Sequence, residues 1–354
     1  MNVCIFGQLG QEKDVISKVK KEHTIISRAD IVTEEQLNSI TTAFPNKVRD
    51  DIIFFTDSQN QELLKKAGIS DAQIINCSAF GNLTFRNPID GFSDQYNAIL
   101  MGMSHSECGI NERLLQGYSY YKESAPSLDL FLHLKFLQTL CKKHTKVMNG
   151  IRRYLFEFPY YVFNYDLSRF GKFALSKLNY FDCVGDYHHL SEQASFVETL
   201  RKYELYKAIM HDGVFAPVET VRINDSVIKQ IYHSTRNAVD IIRNNDTVWK
   251  DIFIDTVNEN KGYWNEIVGL IRTYSPSADI VVLVMPFNPL FRVSQKEKIK
   301  KQRLIFYKNV ENDCIIIDDF QRKMHYSWYD DHCHISKRKA DKYTLLLNDR
   351  LSII

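Results

Sequence analysis

The alternation of apolar and polar stretches predicts a small α/β unit at the start of the chain. The apolar runs "NVCIF", "DIIFFTDS" and "AQIINCS" read as strands, and "NQELLKKAGI" reads as a helix that ends at Gly68. Strands that alternate with helices predict a parallel sheet. Only Gly7 and Gly10 follow the first strand, which falls short of the G-x-G-x-x-G that brings backbone N–H groups to a pyrophosphate. We therefore expect a structural or docking module over residues 1–85, with nucleotide binding as the alternative.

A second α/β pattern follows a stretch rich in Gly, Asn, Pro and Asp over residues 81–96, which we interpret as a linker. "NAILMG" is an apolar strand that leads into a helix, and a strong helix follows from about 127 to 144. "RRYLFEF", "ADIVVLVMPF" and "CIIID" predict further strands, and an apolar stripe predicts a last helix over 337–351. We expect a second domain over residues 86–354.

The stretch from about 169 to 275 is mostly of helical character and lacks strand alternation. We interpret it as a helical insertion in the second domain, for which a lid or a substrate-binding cap is the expected role. No internal repeat or low-complexity segment accompanies it.

Length and composition limit the class of protein. A chain of 354 residues is long for one hydrophobic core, which supports two domains. A net charge of +2 argues against a nucleic-acid-binding domain, and the basic stretch "SQKEKIKKQR" fits the solvated face of a helix. Seven scattered cysteines without a CxxC pair indicate reduced thiols. With neither a signal peptide nor an apolar run of ~20 residues, we expect a cytoplasmic protein without a transmembrane segment.

The segment "WYDDHCHIS", residues 328–336, concentrates reactive side chains and admits three interpretations. As a metal site it needs a third or fourth ligand, and the sequence offers no HExxH, second HxH or paired cysteines to supply one. As part of a catalytic triad, Asp331 can reach Nδ1 of His334 across a tight loop and leave Nε2 free to take a proton. The third interpretation is a polar loop without a role. We favour the triad and expect no bound metal or other cofactor.

Ser104 in "LMGMSHSE" is the candidate nucleophile. It follows an apolar strand at the turn into a helix, where helix N–H groups favour a developing oxyanion, and ligands of open parallel sheets lie at the carboxyl ends of strands. A serine in this position is also a common helix N-cap, and Ser106 is equally placed for that role.

Taken in order, these segments resemble the SGNH (GDSL-like) hydrolase superfamily, which has a serine after the first strand of a three-layer α/β/α domain and D-x-x-H before the last helix. Over residues 95–351 they are most similar to the branch that contains the teichoic-acid D-alanyl-transfer and alginate O-acetylation proteins. The resemblance rests on five segments: "AILMGMSHSECGI", "PSLDLFLHLKFL", "YLFEFPYYVFNYDLS", "NENKGYWNEIVGLI" and "IVVLVMPFNPLF". Residues 1–85 resemble the truncated Rossmann-like modules of bacterial polysaccharide-biosynthesis proteins.

The resemblance implies a triad of Ser104, His334 and Asp331. The usual G-D-S is Gly102-Met103-Ser104 here, so the aspartate of that block is missing. By position, the oxyanion-hole residues of the family correspond to Ser127 and Asn164, together with the backbone N–H of Ser104.

The implied activity is O-acyl transfer, for which we expect O-acetylation of a bacterial surface polysaccharide or its precursor, with acetyl-CoA as the acyl donor. The partners expected are a glycan or sugar precursor and a second copy of the chain or another biosynthetic protein. The alternatives are a carbohydrate esterase with the same triad and a non-catalytic glycan-binding or assembly protein on the same fold.

Overall fold

The chain has an α/β fold with two sheets. The computed structural model describes residues 1–6, 19–29, 33, 35, 52–56, 58–76, 89–210, 256–294, 296–310 and 314–354. Residue contacts divide the chain into two compact units, one formed by 1–87 with 171–223 and the other by 88–170 with 224–354. Each unit is built on one sheet.

The strands of the described residues all pair in parallel within their sheets. The strands are β1 (Asn2–Phe6), β2 (Thr24–Ala29), β3 (Ile52–Thr56), β4 (Ile74–Asn76), β5 (Ala98–Gly102), β6 (Tyr120–Ser124), β7 (Arg153–Glu157), β8 (Asp279–Val284) and β9 (Ile315–Asp318). The helices are α1 (Ser58–Lys66), α2 (Ser104–Gly109), α3 (Leu130–Lys143), α4 (Thr145–Met148), α5 (Gly171–Leu175), α6 (Leu178–Val184), α7 (Phe196–Ile209), α8 (Val257–Tyr274), α9 (Pro289–Ser294), α10 (Lys296–Val310) and α11 (Lys337–Leu351).

The first unit holds a four-stranded sheet in the order β2-β1-β3-β4. The central strands β1 and β3 are apolar on both faces, as expected for a parallel sheet covered on both sides. Cys4, Phe6, Phe54 and Ile74 share a core with Leu64 of α1. Gly7 and Gly10, and residues 81–88 of the linker expected over 81–96, lie outside the described residues.

The second unit holds a five-stranded sheet in the order β6-β5-β7-β8-β9. Strand β5 therefore lies between β6 and β7. The connection from β5 to β6 runs to one side of the sheet, and the next connection, from β6 to β7, crosses to the other side. Crevices at such switch points, outside the carboxyl ends of the strands, are where doubly wound sheets bind ligands. The residue after the end of β5 thus occupies the position that this topology favours for a site.

Helices cover both faces of this sheet, which gives three layers. Because successive strand residues point to opposite faces, Leu100 and Leu155 pack in one core with Tyr343 and Leu347 of α11. On the other face, the ring of Phe156 meets Trp264 of α8 edge-on, with 5.4 Å between the ring centroids. The three-layer α/β/α fold expected from the sequence is therefore present, and α11 begins and ends where the apolar stripe predicted.

The region from about 169 to 275 is divided between the two units. Helices α5 to α7 belong to the first unit, in which Tyr206 packs edge-on against Phe55 of β3 and Met210 forms an antiparallel bridge with Val19. Helix α8 belongs to the second unit, and residues 211–255 lie outside the described ones. This grouping differs from the domain boundaries expected from the sequence, because burial of Tyr203 and Tyr206 ties α7 to the first unit.

The six cysteines among the described residues are free thiols, and Cys77 lies outside that part of the chain. No helix in the described residues is long and apolar enough to cross a membrane.

Candidate active site

Ser104 is the first residue of α2, directly after the turn that leaves β5. The turn is tightly packed at Gly102: a Cβ added there would collide with Oγ of Ser106 and would lie 2.9 Å from Cβ of Glu157. Ser106 is buried and holds the turn from inside, because its hydroxyl donates to the Met103 carbonyl at 3.0 Å and lies 3.0 Å from the hydroxyl of Ser124. Ser104 is thereby left as the partly exposed serine of this turn.

The "WYDDHCHIS" segment folds as a closed loop before α11. An antiparallel bridge pairs Tyr329 with Ile335, and the Asp330 N–H donates to the His334 carbonyl at 2.9 Å. Asn288, which follows β8, fastens the loop to the sheet: its N–H donates to the His332 carbonyl at 3.1 Å and its side-chain amide to the Asp331 carbonyl at 3.2 Å. Ser336 occupies the N-cap position of α11 without a side-chain capping bond.

The structure brings Ser104, His334 and Asp331 into one hydrogen-bonded chain. Nδ1 of His334 lies 2.6 Å from Oδ2 of Asp331, and Nε2 of His334 lies 2.6 Å from Oγ of Ser104. Because an ionised carboxylate only accepts hydrogen bonds, Nδ1 carries the proton and Nε2 accepts from the serine hydroxyl. This tautomer is the one in which a histidine acts as the base for a serine.

The two ionisable groups of this chain shift each other's pKa. Burial by itself would raise the pKa of Asp331, but the hydrogen bond and charge of His334 outweigh it and hold the pKa well below the usual value. Burial would likewise lower the pKa of His334, but the hydrogen bond and charge of Asp331 outweigh it and raise the pKa. Asp331 also accepts the backbone N–H groups of Cys333 and His334 at 2.8 Å each. Because 43% of its side chain is exposed, solvent weakens its field, and orientation of the imidazole is its main contribution.

Glu157, a buried carboxylate at the end of β7, holds the turn between β5 and α2 by hydrogen bonds. Its Oε2 accepts the N–H of Met103 at 3.0 Å and that of Ser106 at 3.3 Å, and its Oε1 accepts from Nδ1 of His105 at 3.1 Å. Burial would raise the pKa of Glu157, but contact with His105 and the two backbone N–H groups outweigh it and lower the pKa. Glu157 and His105 were not among the site residues predicted from the sequence. Two features of the sequence could have indicated them: a single acidic residue at the end of the apolar strand "RYLFEF", and a histidine next to the candidate nucleophile.

The two side chains expected in an oxyanion hole, those of Ser127 and Asn164, make no hydrogen bond with the triad residues. Ser127, at φ 65°, accepts the Tyr165 hydroxyl at its carbonyl, and its side chain makes no hydrogen bond with Ser104 or His334. Asn164 ends a short 3-10 helix, and its buried Oδ1 has no hydrogen-bond partner. Their assignment stays a prediction. In the described part of the chain the backbone N–H of Ser104 also makes no hydrogen bond, so it remains free for an oxyanion.

The other reactive residues of the loop lie beside the triad. His332 packs against Phe291 at 5.1 Å between ring centroids, and its Nδ1 lies 4.0 Å from Oδ1 of Asp331. The buried Sγ of Cys333 lies 3.5 Å from Nδ1 of His334, and burial raises the pKa of this thiol well above its usual value. Within the described residues, His105, Cys333 and His334 form one of the side-chain groups with metal-ligand spacing.

The arrangement is suited to nucleophilic chemistry at Ser104, since the hydroxyl has a base in hydrogen-bond contact and the base has a carboxylate that orients it. No protein-family model matches this chain, and no curated protein matches its sequence.

Proposed function

We propose that this chain is a serine-dependent acyl-transfer enzyme in which Ser104 is the nucleophile, His334 the general base and acid, and Asp331 the residue that orients His334. The observation that carries the proposal is the pair of 2.6 Å contacts, one between Ser104 and His334, which are 230 residues apart in sequence, and one between His334 and Asp331. The position of Ser104 at the switch point of the second sheet adds support.

The mechanism follows from the atoms in contact. Nε2 of His334 takes the hydroxyl proton as Oγ of Ser104 attacks an acyl carbonyl, and the same proton then passes to the leaving group. The acyl-serine is resolved when an acceptor hydroxyl or a water gives its proton to Nε2 and attacks the ester; the bond from the acyl carbon to Oγ of Ser104 breaks, and Nε2 returns the proton to Oγ. Asp331 keeps Nδ1 protonated through both halves of the reaction.

In this proposal the unpaired backbone N–H of Ser104 donates one hydrogen bond to the oxyanion. The first turn of α2 contributes less than the sequence suggests, because Glu157 already accepts the N–H groups of Met103 and Ser106. A second donor comes from a side chain, for which Asn164 remains the candidate. Loss of one such donor typically lowers the rate by about 10² to 10³.

The acyl acceptor separates two candidate activities. O-acyl transfer to a glycan or sugar precursor, with acetyl-CoA as donor, is the activity that the resemblance implies. Hydrolysis by a carbohydrate esterase is favoured by the partial exposure of Ser104 and of the Asp331 side chain, because solvent reaches the site. The two activities are distinguished by the rate of acetate release from an acetylated glycan, measured with and without an acceptor sugar. A rate that does not change when the acceptor is added contradicts transfer.

A covalent probe tests the nucleophile directly. Incubation with a fluorophosphonate, followed by peptide mapping, should place the adduct on Ser104 and not on Ser106. Ser104→Ala should abolish the adduct, whereas Ser106→Ala, which removes a buried structural hydroxyl, should retain it. Labelling that persists in folded Ser104→Ala, or full activity of that variant, would contradict the assignment of Ser104 as nucleophile. A folded wild-type chain that is neither labelled nor active would favour the non-catalytic binding role.

A further inference from the structure

A second imidazole lies against the catalytic one. The rings of His105 and His334 are stacked, with 5.2 Å between centroids and 22° between planes. His105 is 1% exposed, and its Nδ1 donates to Glu157. Its Nε2 is buried without any hydrogen-bond partner. An unsatisfied buried polar atom next to reactive groups calls for an explanation, because such atoms are rare in folded proteins.

Cys333 completes a set of three nitrogen and sulfur donors. One ring nitrogen of His105, Sγ of Cys333 and one ring nitrogen of His334 all lie within 4.8 Å of one another. Both imidazoles present Nδ1 to a carboxylate, His105 to Glu157 and His334 to Asp331. A carboxylate on the remote nitrogen is the arrangement that orients metal-binding histidines and makes Nε2 a better ligand.

We propose that His105, Cys333 and His334 form a binding site for a thiophilic divalent cation, Zn²⁺ being the best fit, and that the bound ion inhibits acyl transfer. Nitrogen and thiolate donors exclude Mg²⁺ and Ca²⁺, which take oxygen ligands. The inhibitory part rests on the proposed function, because it requires that Nε2 of His334 is the catalytic base. The binding part stands independently of it.

The exchange on binding is balanced. Cys333 releases its thiol proton to solvent and binds as thiolate, while Nε2 of His334 gives up the hydrogen bond from Ser104 and binds the ion through its lone pair. Zinc bonds of about 2.0 to 2.3 Å place tetrahedral ligands roughly 3.3 to 3.7 Å apart. Sγ of Cys333 lies 3.9 Å from Nε2 of His334 and the three donors lie within 4.8 Å of one another, so binding requires them to approach by roughly 1.5 Å at most. The carboxylates of Glu157 and Asp331 beside the site offset the charge of the cation.

A second group with ligand spacing, Asp331 with His332 and Cys333, is less suited to the ion. Both oxygens of Asp331 are already engaged, Oδ1 by the N–H groups of Cys333 and His334 and Oδ2 by Nδ1 of His334. The two groups share only Cys333, and His332 belongs to the second group alone, which makes His332 the matched control.

Cobalt substitution tests binding without any need for catalysis. Titration of the metal-free chain with Co²⁺ should produce tetrahedral d–d absorption and a near-ultraviolet thiolate-to-cobalt band, both displaced by Zn²⁺. Cys333→Ser should lose the thiolate band, and His105→Gln should lower the affinity by at least roughly tenfold, as does loss of even an outer partner of a ligand. His332→Ala should bind as wild type does. No tetrahedral cobalt spectrum, or loss of it in His332→Ala rather than in folded His105→Gln, would overturn the proposal.

Ser104→Ala gives an independent check. Removal of the hydroxyl that competes for Nε2 should tighten Co²⁺ binding by roughly two- to tenfold, the equivalent of one net hydrogen bond. Zn²⁺ should also protect wild-type Ser104 from the fluorophosphonate, and should not do so in Cys333→Ser. Cobalt binding with unprotected labelling would defeat the inhibitory role alone, whereas cobalt binding in a chain that is never labelled would defeat the proposed function and leave the site intact.

Discussion

We expect Asp331 to influence the reaction through Nδ1 of His334, which lies 2.6 Å from its Oδ2. Asp331→Asn keeps the size of the side chain but replaces a pure acceptor with an amide, which lets His334 adopt the tautomer that cannot accept from Ser104. We expect turnover and fluorophosphonate labelling to fall by roughly 10³- to 10⁴-fold with little change in stability. Labelling rates of the purified variants measure the effect.

Asp330→Asn is the matched control, since Asp330 is the exposed neighbour in the same loop. Its labelling rate should remain within a factor of about two of wild type, as expected for a surface change. Equal losses in the two variants would mean that the loop responds to charge in general and not to the Asp331 contact.

Glu157 determines stability rather than proton transfer. Glu157→Ala leaves Nδ1 of His105 and the N–H groups of Met103 and Ser106 without their acceptor in a buried site. Removal of one partner from a buried polar cluster of this kind costs about 3–5 kcal/mol in the free energy of unfolding. Glu157→Gln should cost less because it retains an acceptor oxygen.

Urea denaturation of these variants and of Glu107→Gln makes the comparison. Glu107 is exposed on the same helix, α2, and its replacement should change the free energy of unfolding by less than about 0.5 kcal/mol. A Glu157→Ala variant as stable as Glu107→Gln would show that the hydrogen bonds of Glu157 do not hold the turn.

The sequence predicts the contacts of the candidate site only where the two residues lie close together in the chain. Asp331 and His334 lie three residues apart, so one tight loop joins them and the sequence is sufficient. Glu157 and His105 meet across 52 residues, and their pairing depends on the parallel register that sets Glu157 beside Gly102. Neither residue type nor spacing reveals that register, and for the same reason the sequence does not indicate the ligand role that we propose for His105.

The turn from β5 to α2 is tightly packed around Gly102. Gly102→Ala would drive a methyl group into Ser106 and Glu157, which hold the turn on either side. Overpacking of a close-packed site costs about 1–3 kcal/mol, and here the strain falls two residues before Ser104. We therefore expect both the free energy of unfolding and the labelling rate of Ser104 to fall, as measured by urea denaturation and by fluorophosphonate kinetics.

Gly269→Ala provides the opposite expectation in the same unit. Gly269 lies in α8 with nothing within 4 Å of an added Cβ, so alanine should stabilise the helix by about 0.5–1 kcal/mol and leave labelling unchanged. Faster labelling or greater stability in Gly102→Ala would contradict the close approach at the turn.

Elements with a single apolar stripe were the most predictable from sequence. The stripe of α11 fixed both its limits and its buried face, and apolar runs located β5, β7 and β8. Periodicity reveals that a helix has a buried side, but not which sheet it covers. Helix α7 shows the limit: its tyrosines were read as part of an insertion in the second domain, whereas they pack in the first unit.

At the scale of the whole molecule, the chain builds its two units from interleaved segments. The first unit takes residues 171–223 after the second sheet has begun, so β1 to β4 acquire a packing partner that is distant in sequence. The triad lies entirely in the second unit. A substitution that loosens the packing between α7 and β3 should therefore lower the stability of the first unit and leave the environment of Ser104 unchanged.

Tyr206→Ala tests this division. Tyr206 is fully buried and meets Phe55 at 5.9 Å between ring centroids, so its removal should cost about 3–5 kcal/mol in the stability of the first unit. Hydrogen exchange followed by mass spectrometry should show faster exchange in peptides from β1, β3 and α7 and unchanged exchange in those from β5 and β7. Tyr326→Ala, at an exposed tyrosine of the second unit, should change neither set. Equal loss of protection in β5 and β7 would mean that the chain unfolds as one cooperative body, and unchanged exchange of α7 would mean that Tyr206 does not hold it on the first sheet.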